Sequence, residues 1–185
     1  MASSMKVAVL VGSLRKDSIN KQLAHALQRL AGDKLAFEYI AIGDLPLFNQ
    51  DNEQNYPPAA TKMKEQIRNA DGVLFVTPEY NRSIPGVLKN AIDTASRPYG
   101  TNAFAGKPGA VIGTSQSSAG TALAQQHLRN VCVFLDIPML QQPESFIQYK
   151  QGLFASDGSV TVDSTREFLQ GFVDKYVAWV KRFNG

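Results

Sequence analysis

The sequence has one cysteine, Cys132, and two histidines, His25 and His127, among 185 residues. A lone cysteine excludes an internal disulfide and any cysteine-based metal cluster; it fits a reducing compartment, so the cytoplasm is the expected location. Asp93 and Glu144 are scattered carboxylates without a ligand set, and no metal is expected. A block of basic residues is also missing: 19 Lys and Arg stand against 16 Asp and Glu, for a formal charge of +3. That dispersed excess favours small anions such as phosphorylated cofactors and argues against a nucleic-acid partner. Long apolar runs are absent too. The first, at 7–11, is far too short for a signal core or a membrane span, so no targeting segment and no membrane insertion are expected. Met5 reads as a second possible start, with residues 1–5 a disordered extension.

What is present is enough for one packed domain over residues 1–185, with 44% hydrophobic content and no linker, repeat or low-complexity tract. Residues 7–11 are continuous and β-branched, which marks a buried strand, and Gly12 begins a turn. Leu23, Ala26, Leu27 and Leu30 recur at helical spacing up to Gly32-Asp33. A second strand is expected at 37–42. Pro57-Pro58 introduces a helix carrying Met63, Ile67 and Ala70, and a third strand follows at 73–77. Then come a helix at 87–95, a strand at 110–114, and a helix at 120–135 with Leu123, Leu128, Val131 and Leu135 facing inward. The region 139–146 is expected to hold a short fifth strand, and 164–182 a last helix whose Phe168, Phe172, Tyr176 and Trp179 suit core or subunit contact.

Apolar strands alternating with amphipathic helices imply an α/β fold: a doubly wound, five-stranded parallel sheet of order 2-1-3-4-5 with helices on both faces. Ligands of such sheets sit at the carboxyl ends of the strands flanking the switch point, here strands one and three. Two loops therefore matter, 12–20 and 77–86.

In the first loop, backbone N–H groups at a helix start, the hydroxyls of Ser13 and Ser18, and the guanidinium of Arg15 suit a phosphate. Asn20 either orients the loop or donates to a phosphate oxygen, and Ser18 also reads as a plain helix cap. The Gly-Lys-Ser/Thr ending of a P-loop and the later glycines of a dinucleotide turn are both missing, which leaves a monophosphate as the better fit. In the second loop, Pro78 and Pro85 stiffen a turn that carries Glu79, Tyr80 and Asn81, a setting for a flat heteroaromatic ring; an ordinary surface turn is the plainer reading. His25 and His127 have no partner at motif spacing and read as structural, and Cys132 reads as a small buried hydrophobe.

The run Gly12-Ser13-x-Arg15-x-x-Ser18-x-Asn20, followed by Pro78-Glu79-Tyr80-Asn81-x-Ser83-Ile84-Pro85-Gly86-x-Leu88-Lys89-Asn90-Ala91-x-Asp93 and Ser96-Arg97-Pro98, resembles the NADPH-dependent FMN reductase family, near its bacterial quinone and chromate reductases. The resemblance covers about 6–179. It implies a flavodoxin-like protomer, bound FMN, NADPH or NADH as co-substrate, and a homodimer or dimer of dimers. It implies that Ser13, Arg15, Ser18 and Asn20 bind the FMN phosphate. Pro78, Glu79, Tyr80 and Asn81 would line the isoalloxazine, mainly through backbone, with Ser115 and Ser117 closing the other side, although their loop also reads as a helix entry capped by Ser118. Two departures stand out: Thr94 where many members have Trp, and Gln126 where tetrameric relatives carry an aromatic before His127-Leu128-Arg129.

The function expected from this is an FMN-dependent NAD(P)H oxidoreductase. Hydride would pass to bound FMN and two electrons to quinones in a ping-pong cycle, with chromate, azo or nitro compounds as opportunistic acceptors. FMN carries the chemistry, so no catalytic side chain is expected. The alternatives are an FMN reductase that supplies reduced flavin to a partner monooxygenase, and a flavodoxin-type electron carrier, which the lack of acidic excess disfavours.

Overall fold

A computed structural model describes residues 4–185. Five parallel strands form one sheet: β1 Met5–Val11, β2 Leu35–Tyr39, β3 Gly72–Val76, β4 Gly109–Ser115 and β5 Phe146–Gln148. Their order is β2-β1-β3-β4-β5, the flavodoxin-like arrangement. Val9 pairs with Tyr39 on one side and Leu74 on the other, while Phe75 pairs with Val111 and Thr114 with Ile147. The central strands alternate their side chains between two cores, which is why they are apolar throughout. Val7, Val9 and Val11 face helices α1 (Ile19–Ala31) and α5 (Asp163–Asn184). Ala8 and Leu10 face α2 (Pro58–Arg68), α3 (Gly86–Ser96) and α4 (Ala122–Phe134).

The helices start and stop for local reasons. Ser18 caps α1, its hydroxyl accepting the Lys21 N–H at 3.3 Å, and Gly32, at φ +52°, ends it by returning its own N–H to Gln28 O. Pro58 begins α2, where a missing N–H costs nothing, and Pro85 immediately precedes α3. Buried Phe172 and Tyr176 of α5 stack on one another, whereas Phe168 is exposed and Trp179 only partly buried, its indole N–H donating to Pro138 O.

Several boundaries differ from the expected ones. Met5 is already the first residue of β1, paired with Leu35, so the extension expected over 1–5 does not reach it; residues 1–3 lie outside the described part. The second strand ends at Tyr39, after which Ile40 still donates its N–H to Val9 O at 3.0 Å before the chain turns away. The fifth strand lies at 146–148 and not within 139–146. Met139 makes only a single bridge to Gly109, with Pro138 O accepting the Gly109 N–H and Leu140 N–H donating to Gly109 O. Ala70 is buried but lies past the end of α2. In α4 the buried face is Ala124, Gln125, Leu128 and Cys132, while Leu123 is 41% exposed.

Close backbone approach fixes the upper end of the sheet. A Cβ on Gly113 would lie 2.1 Å from the Thr77 carbonyl oxygen and 2.3 Å from Thr121 Oγ1. Only glycine fits where β4 passes between the end of β3 and the start of α4.

Candidate functional site

The carboxyl ends of β1, β3 and β4 open into a cavity of about 520 Å³, a size ordinary for a cofactor-binding cleft. Ser13, Arg15, Ser18 and Asn20 line one side, Pro78, Glu79 and Tyr80 another, and Thr114, Ser115 and Tyr149 a third. The two loops singled out by the topology thus face one space. Ser117 is exposed and is not among the lining residues, nor is Asn81, which is also exposed.

On the first loop, Ser18 accepts a helix N–H and keeps its hydroxyl hydrogen free to donate into the cavity, so capping and ligand binding are compatible in one side chain. The N–H groups of Ile19 and Asn20 precede the first intrahelical bond, Gln22 N–H to Ser18 O, and belong to the positive end of the α1 dipole. Arg15 is exposed beside them, and Asp17 also lines the wall. Asn20 is 1% exposed, and its amide is committed: Nδ2 donates to Thr114 O at 2.9 Å and Oδ1 accepts the Thr114 N–H at 3.0 Å. Of its two possible roles, orienting the loop is the one this geometry displays.

The second loop is built more tightly than its sequence suggests. Tyr80 and Ser83 exchange both backbone hydrogen bonds at 2.9 Å around Asn81 and Arg82, which sit at φ +51° and +61°. Two successive positive φ values describe a type I′ turn; asparagine tolerates that region well and arginine poorly. Pro78 lacks an N–H and the Tyr80 N–H is spent on Ser83, so backbone donation toward a ligand narrows to Glu79 and Asn81.

The Glu79 side chain points elsewhere: Oε2 accepts the N–H groups of Leu123 and Ala124 at 3.0 Å each. It caps α4 from 44 residues away, which explains why Thr121, at the N-cap position, makes no side-chain cap bond and why Ser118 does not cap either. One turn along α4, His127 Nδ1 meets Ser83 Oγ at 2.6 Å. Spacing in sequence could not reveal that partner. The turn is therefore anchored to α4 at both ends, and Ser115, whose hydroxyl donates to Gly120 O, ties the third wall to the same helix entry. His25, on α1, meets the Tyr39 hydroxyl at 3.2 Å. Cys132 is buried as expected, and desolvation pushes its thiol up to about 12.

Thr114, Tyr149 and the amides of Gln22, Gln116 and Gln151 line the cavity without having been expected there. Tyr149 immediately follows β5, so a correctly placed fifth strand would have pointed to it. No cluster of three or more His, Cys, Asp or Glu suited to a metal occurs among the described residues. Nor is any helix there long and apolar enough to cross a membrane.

Known proteins resemble this chain over nearly its whole length. A 2-hydroxy-1,4-benzoquinone reductase from a Burkholderia species is 54% identical over 178 residues, 96% of this chain and 97% of the relative. A quinone reductase of Pseudomonas putida is 52% identical over 98% of this chain and 97% of its own length. The solved structure of FerB, a flavoenzyme NAD(P)H:(acceptor) oxidoreductase from Paracoccus denitrificans, superposes with a TM-score of 0.94 at 50% identity, covering 97% of this chain and 98% of that one. The family model for NADPH-dependent FMN reductases matches residues 5–152, a stretch that contains both cavity loops and all three walls. The chain belongs to the NADPH-dependent FMN reductase family.

Proposed function

We propose that this chain holds FMN between loops 12–20 and 77–86 and works as an NAD(P)H:quinone oxidoreductase. The observation that carries this reading is the polarity of the cavity. A helix N-terminus, two serines and Arg15 stand at one end, and the stiff Pro78–Tyr80 wall at the other. An elongated ligand with a dianionic phosphate at one end and a flat ring at the other matches that polarity.

Ser13, Arg15 and Ser18 would hold the phosphate, with Asn20 fixing their loop to β4. Pro78, Glu79, Tyr80 and Asn81 would border the ring, and Ser115 the opposite wall; Ser117 would reach it only from the rim. FMN held there would supply the redox chemistry of a ping-pong transfer from NAD(P)H to a quinone. The protein's own share is placement and electrostatics: Glu79 and Asn81 N–H groups are the donors left to offset negative charge on the ring edge. Tyr80, half exposed at the mouth, leaves that side open to an acceptor. No side-chain acid or base is assigned.

The proposal extends to a homodimer or dimer of dimers acting in the cytoplasm, with quinones as selected acceptors and chromate, azo or nitro compounds as incidental ones. Initial rates over a grid of NADPH and benzoquinone concentrations test it. Parallel double-reciprocal lines are expected; absence of quinone-dependent NADPH oxidation by the FMN-loaded protein would overturn it.

A further inference from the structure

Most arginines of this chain have a partner. Arg29, Arg97 and Arg166 are ion-paired, Arg68 and Arg129 donate to the carbonyls of Thr101 and Leu140, and Arg182 lies over the Trp179 ring. Among the described residues, only Arg15 and Arg82 make no such contact. Both stand at the cofactor cavity: Arg15 lines its wall, and Arg82 follows two residues after Tyr80, which lines it too. Arg15 has its place at the phosphate end. Arg82, on the ring side, has none yet.

Arg82 is also held where an arginine is strained. It is the second of two left-handed residues in a tight turn, at φ +61°, a position that favours glycine; Asn81, at φ +51°, suits the first. The conformation is imposed from outside the residue. Tyr80 and Ser83 exchange both backbone bonds at 2.9 Å, Glu79 Oε2 accepts the Leu123 and Ala124 N–H groups, and Ser83 Oγ meets His127 Nδ1 at 2.6 Å. Such over-determined strain marks ligand clamps more often than surface turns. The Arg82 N–H makes no hydrogen bond among the described residues either, and the residue is exposed. The tip of the turn thus offers a guanidinium and a backbone donor together, the equipment for an anion.

We infer that Arg82 is a specificity-determining residue for the electron donor, binding an anionic group of the nicotinamide dinucleotide at the mouth of the cavity. Hydride transfer needs the nicotinamide in contact with the ring, so the remainder of the dinucleotide leaves the slot past half-exposed Tyr80, where the turn presents its cation. Two groups of that molecule supply the charge, the pyrophosphate common to NADH and NADPH and the 2′-phosphate of NADPH alone. The inference rests on the proposed seat of the flavin ring beside Pro78, Glu79 and Tyr80.

The test titrates NADP⁺ and NAD⁺ into FMN-loaded wild type, Arg82→Gly and Arg82→Lys, read by perturbation of the flavin absorbance, and measures the urea midpoint of each protein. Arg82→Gly completes an Asn-Gly pair, so it should raise the midpoint while it weakens the nucleotide. A residue with a structural role alone would not move the two in opposite directions. A tenfold or greater rise in Kd for NADP⁺ only, with Arg82→Lys retaining most of the affinity, identifies the 2′-phosphate. The same rise for both nucleotides identifies the pyrophosphate. In either case added salt should narrow the gap between wild type and Arg82→Gly. Equal affinities in wild type and Arg82→Gly overturn the inference, as do affinity and midpoint falling together, or a wild type that binds neither nucleotide. Equal affinities in a protein that still oxidises NADPH leave the reductase reading standing. Binding that depends on Arg82, with no electrons passed to quinone, contradicts that reading alone.

Discussion

Asn20 and Thr114 exchange two hydrogen bonds across the carboxyl ends of the sheet, 2.9 Å from Nδ2 to the carbonyl and 3.0 Å from the backbone N–H to Oδ1. Both residues are buried, so the Asn20 side chain of loop 12–20 completes the backbone of β4 at the point where its pairing with β3 ends. Asn20→Ala leaves a buried N–H and a buried carbonyl unpaired. We expect a loss of about 2–3 kcal/mol in urea denaturation, together with weaker FMN binding in a fluorescence titration.

Glu79 belongs to the ring loop, yet its carboxylate serves α4. Glu79→Ala removes a charge-assisted cap and frees the turn at 80–83. FMN affinity is expected to fall on the order of tenfold, in line with a loss of about 1.5 kcal/mol. Glu79→Gln keeps an acceptor oxygen and should retain most of it, so equal losses in the two variants would show that the cap is not what matters.

Gly113 admits no side chain. Gly113→Ala would press a methyl against the Thr77 carbonyl and Thr121, forcing the end of β3 away from α4. The expected cost is about 3 kcal/mol, read as a lowered urea midpoint, and any folded fraction should bind FMN poorly because Thr77 leads directly into Pro78.

Burial raises the Cys132 thiol from 9.0 to about 12. At pH 8 the native protein should therefore resist a thiol reagent that titrates one group after unfolding. The raised value also carries a sign for stability. Below pH 9 the thiol is protonated in both states; above it the unfolded state releases the proton first, so the stabilisation is lost as pH rises toward 12. Relative to Cys132→Val, wild type should lose up to about 1.4 kcal/mol per pH unit across that window. A pH-independent difference would show the thiol to be solvated.

Among the described residues that line the cavity, Arg15 is the one basic side chain. Arg15→Ala should weaken FMN binding and flatten its dependence on salt, because a screened ion pair has been removed. Full FMN occupancy together with wild-type NADPH kinetics would contradict both the phosphate role and the role toward incoming NADPH.

The strand order and the two cavity loops were legible in the sequence because they follow from local signals: continuous β-branched runs, glycine where β1 ends, prolines at helix starts. That Ser13, Arg15 and Ser18 line one cavity follows from the same local signals, since each sits within a few residues of the α1 N-terminus. The misplaced pieces depend on distant partners. The fifth strand is three residues long and exists through its pairing with Gly113, Thr114 and Ser115, so no run of its own announces it, and with it Tyr149 went unseen. The cap on α4 comes from Glu79 and the partner of His127 is Ser83, each 44 residues away.

The most direct test of the central claim is an anaerobic titration of the FMN-loaded protein with NADPH, followed by a benzoquinone, watching the visible flavin band. NADPH should bleach the band and quinone restore it, with flavin still bound after gel filtration. A band that neither NADPH nor NADH alters would show the protein to be a flavin carrier and not a reductase.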